Sequence, residues 1–208
     1  MTEIKNLIFD YGGVFLLLDE EKTYQAFKDL GLLFISPALA ASNNDFQRGR
    51  ISIPTFISNI QKELPRPATE EQIIDAWCAM LGRLPQERIE LLKKLKKQYR
   101  LFLLSNTDDI HIDRVTRTTP EAVEFLAQFE RVYYSQNTGY RKPEIEIFQL
   151  VIDENNLTPS ESLFVDDIKE NAEAAGRVGM HYHWLDLSRE TVLDIERVIE
   201  EIENDSDK

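Results

Sequence analysis

The stretch IKNLIFDYGG, residues 4–13, decides how the rest of the chain is read. Its apolar run ends at Phe9, meets Asp10, and gives way to the glycine pair Gly12 and Gly13. A short apolar run stopped by polar residues ahead of a helical pattern is the signature of a strand buried on both faces of a parallel sheet. The same pattern recurs downstream. Residues 101–104 meet Ser105, residues 162–165 meet Asp166, residues 131–134 lead into a polar loop, and residues 181–185 form a last strand candidate. Helical patterns at 85–98, 143–154, 168–178 and 189–203 alternate with them. In the second of these, Ile145, Phe148 and Ile152 share one face at helical spacing. Alternating β and α predicts an α/β fold with a doubly wound, Rossmann-like parallel sheet.

One block breaks the alternation. From residue 20 to residue 84 the pattern is helical only, through Tyr24, Phe27 and Leu30, then Phe56, Ile60 and Leu64, then Ile73, Trp77 and Leu81. Pro54 and the segment LPRP at residues 64–67 punctuate it. An all-helical block between the first and second strands predicts an inserted small domain. Residues 1–18 and 83–208 are assigned to the α/β core and residues 19–82 to the insert, with hinges near 16–19 and 82–85. Residues 204–208 are expected to fray.

Composition narrows the function classes. The 208 residues carry 24 basic and 37 acidic side chains, a net charge of −13, so a phosphate backbone or an anionic membrane is repelled. The densest basic run, Lys93, Lys94, Lys96 and Lys97, reads as a solvated helix face. The single cysteine, Cys78, excludes an intramolecular disulfide and any CxxC motif, and its place beside Trp77 in an apolar helical pattern predicts a core position. The first residues lack the pattern of a signal peptide, and no window approaches the roughly 18–20 apolar residues that span a bilayer. A cytoplasmic protein is expected.

Ligands of open α/β sheets bind beyond the carboxyl ends of the strands. At those ends stand Asp10, then Ser105, Asn106 and Thr107, then the loop with Lys142, then Asp166 and Asp167. Carboxylates crowded together repel unless a cation holds them, and hard oxygen donors suit magnesium. A lysine and backbone donors remain for a phosphate. Taken singly, each residue has another reading. Ser105, Asn106, Thr107 and Asp108 are good helix N-caps, Asp166 and Asp167 precede a helix, and Gly12 and Gly13 suit a turn. Lys142 precedes Pro143, a natural first helical residue, where a cation opposes the helix dipole and implies a nearby anion.

In their order, FDYGGVF (9–15), LLSNT (103–107), RKP (141–143) and FVDD (164–167) resemble the four motifs of the haloacid dehalogenase superfamily. The helical block falls where that superfamily inserts its all-helical cap domain, and the resemblance covers nearly the whole chain. The start, the segments FQRGRIS (46–52) and SNT, and SQNTGYRKPE (135–144) are further similar to bacterial alpha-D-glucose-1-phosphate phosphatases. The resemblance implies a magnesium-dependent phosphatase acting on a small phosphorylated metabolite, best a sugar phosphate. Asp10 becomes the nucleophile, Ser105 and Asn106 bind the phosphate, and Lys142 neutralises it. Magnesium falls to Asp10, the carbonyl of Gly12, Asp167, and Asp166 directly or through water.

The chain departs from the family pattern at Gly12, where phosphatases of the superfamily usually carry a second aspartate as general acid and base. Such catalysis is worth about 10²–10⁴-fold. His111 is a candidate replacement or else a helix-surface histidine. Arg48 and Arg50, flanking Gly49, either meet the substrate or are surface charges of the cap, and Arg48 is taken as a substrate-binding candidate. Two alternatives stay open: a 2-haloacid dehalogenase, which shares the aspartate but needs no metal, and a catalytically weak binding protein. The paired acids in FVDD favour the metal enzyme. The missing acid disfavours a phosphomutase and predicts a preference for anomeric sugar phosphates, whose leaving oxygens carry charge better.

Overall fold

Each apolar run forms a strand: β1 (Asn6–Phe9), β2 (Arg100–Ser105), β3 (Arg131–Tyr134), β4 (Ser162–Asp166) and β5 (His181–Trp184). In the computed structural model, which describes residues 3–205, every pairing is parallel and the order is β3-β2-β1-β4-β5. The chain winds outward from β1 through β2 to β3, then crosses to the other side of β1 for β4 and β5. The switch point between β1 and β4 is where such sheets open a crevice. Phe9 lies opposite Leu103 and Val165, so Asp10, Ser105 and Asp166 all emerge at one edge.

The described residues hold eleven α-helices, in chain order α1 (Glu20–Asp29), α2 (Pro37–Phe46), α3 (Ile53–Glu63), α4 (Glu70–Cys78), α5 (Gln86–Leu95), α6 (Asp109–Thr118), α7 (Ala122–Leu126), α8 (Ser135–Thr138), α9 (Ile145–Asn155), α10 (Lys169–Gly176) and α11 (Ile195–Asp205). Side-chain alternation divides the sheet core into two layers. Leu7, Phe9, Leu103 and Val165 pack toward α5, α7 and α11, whereas Ile8, Phe102, Leu104 and Phe164 pack toward α9 and α10. Both faces are therefore covered, as the continuous apolar runs required.

The block between β1 and β2 has its own apolar cluster, in which Phe46 stacks on Phe56 at 4.3 Å and Trp77 meets Phe56 edge-on at 5.0 Å. Ile110 of α6 is the core's contribution to that cluster. The two connections into the block run side by side. Leu17 N–H donates to the Arg83 carbonyl at 3.0 Å, Gly82 N–H to Leu17 at 2.8 Å, and Asp19 N–H to Met80 at 2.9 Å. A Cβ on Gly82 would lie 2.6 Å from the Leu17 oxygen, so this approach needs glycine.

Several local expectations are corrected. Pro143 does not open α9: it follows a cis Lys142–Pro143 bond in a turn, and the helix starts at Ile145. The buried stripe of α9 is Ile147, Phe148, Val151 and Ile152, while Ile145 is only half-buried. Tyr24 is 51% exposed although its spacing matched Phe27. The polar loop after β3 coils into α8. Asn204, expected to fray, belongs to α11, and residues 206–208 lie outside the described residues. Among the described residues no helix is long and apolar enough to cross a membrane.

Arg88, on α5, was not singled out in the sequence, yet it holds the loop behind Asp10. It is buried, and its Nη1 donates to the carbonyls of Gly13, Val14 and Phe15 at 3.1, 2.7 and 3.2 Å. Burial holds its pKa below the ordinary arginine value. Arg88→Met keeps the stem but strands those carbonyls, and should cost about 3 kcal/mol in urea unfolding. A loss under about 0.5 kcal/mol, the level of an ordinary surface substitution, would show that the loop holds itself.

Candidate active site

The centre of the site is a buried cation between two carboxylates. Lys142 is 1% exposed, and its ammonium lies 2.6 Å from Asp10 Oδ1 and 2.6 Å from Asp166 Oδ2. Burial works against the charge of Lys142, but Asp10 and Asp166 outweigh it and hold its pKa above the ordinary value. Its backbone is fixed from the other side of the switch point. Asn106 Nδ2 donates to the Lys142 carbonyl and Lys142 N–H donates to Asn106 Oδ1, both at 2.9 Å. The Asn106 side chain is thus engaged in holding Lys142, which leaves its backbone N–H, the other donor expected of it, for a phosphate.

Asp166 is fully buried and accepts from Ile168 N–H at 2.8 Å and from Asn171 Nδ2 at 3.2 Å to each oxygen. Asn171, one turn into α10, carried no signal in the sequence. Asp167 faces the cavity. Its carboxylate occupies the space beside Gly13, where φ is +72° and a Cβ would come 2.1 Å from Asp167 Oδ2. Trp184 Nε1 donates to the Asp167 carbonyl at 3.1 Å.

Asp10, Asp166 and Asp167 each bring a carboxylate oxygen within 4.8 Å of one another. Burial, then the neighbouring acids, push Asp10 up to about 7 against the pull of Lys142. Burial and Asp166 push Asp167 up to about 6. Three crowded carboxylates against one lysine are an oxygen donor set short of positive charge, which fits a hard divalent cation. The Gly12 carbonyl accepts from Val14 N–H at 2.8 Å and keeps a second lone pair.

Ser105 closes β2 and is buried, lining the same cavity as Asp10 and Lys142. Of the four cap candidates after β2, the structure uses Asp108, which accepts from Ile110 and His111 N–H at 2.9 and 3.0 Å. Thr107 is held through Ser135, whose Oγ accepts from Thr107 N–H and donates to its carbonyl.

His111 sits between the core and the helical block. Its Nδ1 is 3.1 Å from Asp108 Oδ2, its Nε2 is 3.0 Å from the Trp77 carbonyl, and its ring stacks on Trp77 at 5.1 Å. Burial opposes its charge, but Asp108 prevails and holds the imidazole pKa above its ordinary value. With both nitrogens engaged, His111 ties α6 to α4 where both border the cavity. Cys78 is buried, as expected, with its thiol pushed up to about 12.

Arg48, taken as a substrate-binding candidate, turns away from the cavity, and Arg50 follows the surface-charge reading. Arg48 pairs with Glu144 and donates to the Asn44 carbonyl at 3.0 Å, and it does not line the cavity. Arg50 is exposed, 3.6 Å from Asp45. The arginine at the cavity is Arg141, which donates to Asn44 Oδ1 at 2.5 Å. The cavity holds about 670 Å³, with Asp10, Ser105, Lys142 and Asp167 on one side and the helical block on the other.

A family model of haloacid dehalogenase-like hydrolases matches residues 4–179. The chain belongs to the haloacid dehalogenase-like hydrolase family. It is 29% identical to D-ribitol-5-phosphate phosphatase of Bacteroides thetaiotaomicron over 183 residues, covering 85% of this chain and 89% of that protein. It is also 29% identical to the sesquiterpene phosphatase astK of Aspergillus oryzae over 189 residues, covering 86% and 90%. Among solved structures, a haloacid dehalogenase family enzyme of B. thetaiotaomicron in complex with magnesium and inorganic phosphate superposes with a TM-score of 0.81. The two are 30% identical, with 90% of this chain and 96% of that one covered.

The acid cluster of this hydrolase makes a signed prediction. Asp167, raised to about 6 from 3.8, keeps in the fold a proton that the unfolded chain has lost, so without metal its contribution to stability falls as pH rises through that window. Metal-free Asp167→Asn should therefore melt above the parent at neutral pH, because a repelling charge is gone. With magnesium at about a hundred times its dissociation constant, the parent should gain about 2.7 kcal/mol and the order should invert. Equal stabilisation of both proteins by magnesium would remove Asp167 from the metal site.

Proposed function

We propose that this hydrolase is a magnesium-dependent phosphatase that cleaves small phosphomonoesters through a phosphoryl group carried on Asp10. The observation that supports this reading most is the seat of Asp10. It lies at the carboxyl end of the central strand, 2.6 Å from a buried lysine, clustered with two further acids, and it opens on a cavity shared with Ser105. The phosphatases among its relatives support the same reaction class.

In the first step an Asp10 oxygen attacks phosphorus and the bond from phosphorus to the ester oxygen breaks. That oxygen leaves with the electron pair. In the second step water attacks the same phosphorus, freeing inorganic phosphate and the Asp10 carboxylate. A carboxylate nucleophile so divides one displacement into two. Ser105 Oγ is placed to donate to a phosphoryl oxygen, with the backbone N–H of Asn106 beside it. Lys142 favours the ionised form of Asp10 against the burial that opposes it, and balances charge that grows on the transferred group. Asp10, the Gly12 carbonyl and Asp167 would hold magnesium directly, with Asp166 behind them holding Lys142. When bound, the ion supplies charge neutralisation to the phosphoryl oxygens. The paired connections at Leu17–Gly82 and Asp19–Met80 would serve as the hinge of the helical block, taken as residues 19–82.

Asp10→Asn is nearly isosteric but a poor nucleophile, and should lower kcat on p-nitrophenyl phosphate at least about a thousandfold with the fold intact by circular dichroism. Comparable turnover in that variant would exclude Asp10 as the nucleophile.

With Gly12 providing no proton and His111 engaged elsewhere, the leaving oxygen must carry its own charge. The rate should fall steeply as leaving-group pKa rises, and glucose 1-phosphate should be cleaved faster than glucose 6-phosphate. In Gly12→Asp the new Cβ meets only the end of the Leu18 side chain, at 2.7 Å, which is free to move. That variant should flatten the dependence. A flat dependence in the parent would mean that another group donates the proton.

A further inference from the structure

The walls of the cavity speak to what the phosphate is attached to, a question that rests on the phosphatase reading above. Twelve large hydrophobic residues are exposed among the described residues, and half of them, Leu18, Tyr24, Leu33, Phe34, Ile35 and Ile168, border this one cavity. Leu33 and Phe34 are 76% and 73% exposed, on the connection between α1 and α2. A cluster of this kind is costly in water unless something apolar covers it. Further in, the cavity runs between the helices of the block, against Phe27, Leu39, Phe56 and Trp77. At the strand termini Asp10, Lys142 and Asp167 line the same space, and Glu20, Glu21, Lys28 and Arg141 are the other charged residues along it.

We infer that the cavity takes a monophosphate with a hydrocarbon-rich body, whose phosphate reaches Asp10 and whose tail lies among the apolar residues of α1, α3 and α4. The volume of about 670 Å³ lies within the range of pockets that enclose ligands of several hundred daltons, far more than a phosphate fills. A polar strip on α2 competes with this reading. Asn43 Oδ1, Gln47 Oε1 and Arg141 Nε are buried without partners, and all three residues line the cavity. They are three atoms, against six exposed apolar side chains that border the same cavity. The sugar phosphate expected from the motif similarity would leave that border wet.

The test is a series of alkylphosphonates from methyl to octyl, kept below micelle-forming concentrations and titrated by calorimetry with magnesium present. A carbon–phosphorus bond has no ester oxygen to expel, so binding is read apart from the leaving-group effect of Gly12. Each added methylene should tighten binding about fourfold until the cavity is filled. Leu33→Ser combined with Phe34→Ser, at exposed positions, should flatten that slope. In Asp10→Asn, which leaves phosphomonoesters uncleaved during the titration, glucose 1-phosphate and ribitol 5-phosphate should bind more weakly than octylphosphonate binds to the same variant.

A flat series, or tighter binding of either polyol phosphate than of octylphosphonate, overturns the inference and assigns specificity to the α2 strip. A steep series without phosphomonoester hydrolysis keeps the inference about the cavity and removes the phosphatase reading. Hydrolysis of p-nitrophenyl phosphate with a flat series does the reverse.

Discussion

The ammonium of Lys142, buried between Asp10 and Asp166, is the constraint around which the site is organised. A lone buried cation costs several kcal/mol, and so does a lone carboxylate. Here each is tolerated because the other is in reach, and the surroundings are built to keep it so. Asn106 clamps the Lys142 backbone from the end of β2, Asn171 and Ile168 N–H orient Asp166, and the Phe164 ring lies 5.3 Å from the ammonium. Three strand ends and one loop are thereby locked together. One lysine cannot balance three acids, and burial, joined by the mutual repulsion of the acids, raises Asp10 to about 7 and Asp167 to about 6. A divalent cation would complete that balance.

The sheet explains why these residues meet at all. With β1 in the middle and strands wound outward on either side, parallel register brings Asp10, Ser105 and Asp166 to one edge across the switch point. This much was legible in the sequence, because a strand buried on both faces must be continuously apolar and its end is marked by the first polar residue. The order of the four motifs carried the rest of the acid cluster. What was not legible depended on packing between distant segments. Nothing local distinguishes Arg88 from other helical arginines, and Asn171 is one polar residue among many on α10. Arg48 and Arg141 are two arginines of equal promise in the sequence. Only the fold shows that the first turns to Glu144 while the second borders the cavity. His111 is placed by Trp77, thirty-four residues earlier, through contacts no spacing rule describes.

The chemistry and the specificity of the molecule are divided between its two parts. On the proposed reading the charges at the strand ends handle a phosphoryl group, and they say nothing about the alcohol. The helical block carries the walls, and its apolar character bears on the body of the substrate. Phosphatases of a pentitol phosphate and of a sesquiterpene are both about equally similar to this chain. Overall identity therefore does not choose between a polar and an apolar substrate, and the side chains lining the cavity have to.

The most direct measurement is to trap the phosphoryl group where the account places it. During turnover of p-nitrophenyl phosphate with magnesium, the protein is quenched in acid, reduced with borohydride and digested with trypsin. Borohydride converts an acyl phosphate on aspartate to homoserine. With no carboxylate at position 12 to activate the attacking water, the phosphorylated form should persist long enough to be caught. The account predicts homoserine at position 10, in the peptide of residues 6–22. Turnover with an unmodified Asp10, or homoserine at another aspartate, would contradict it.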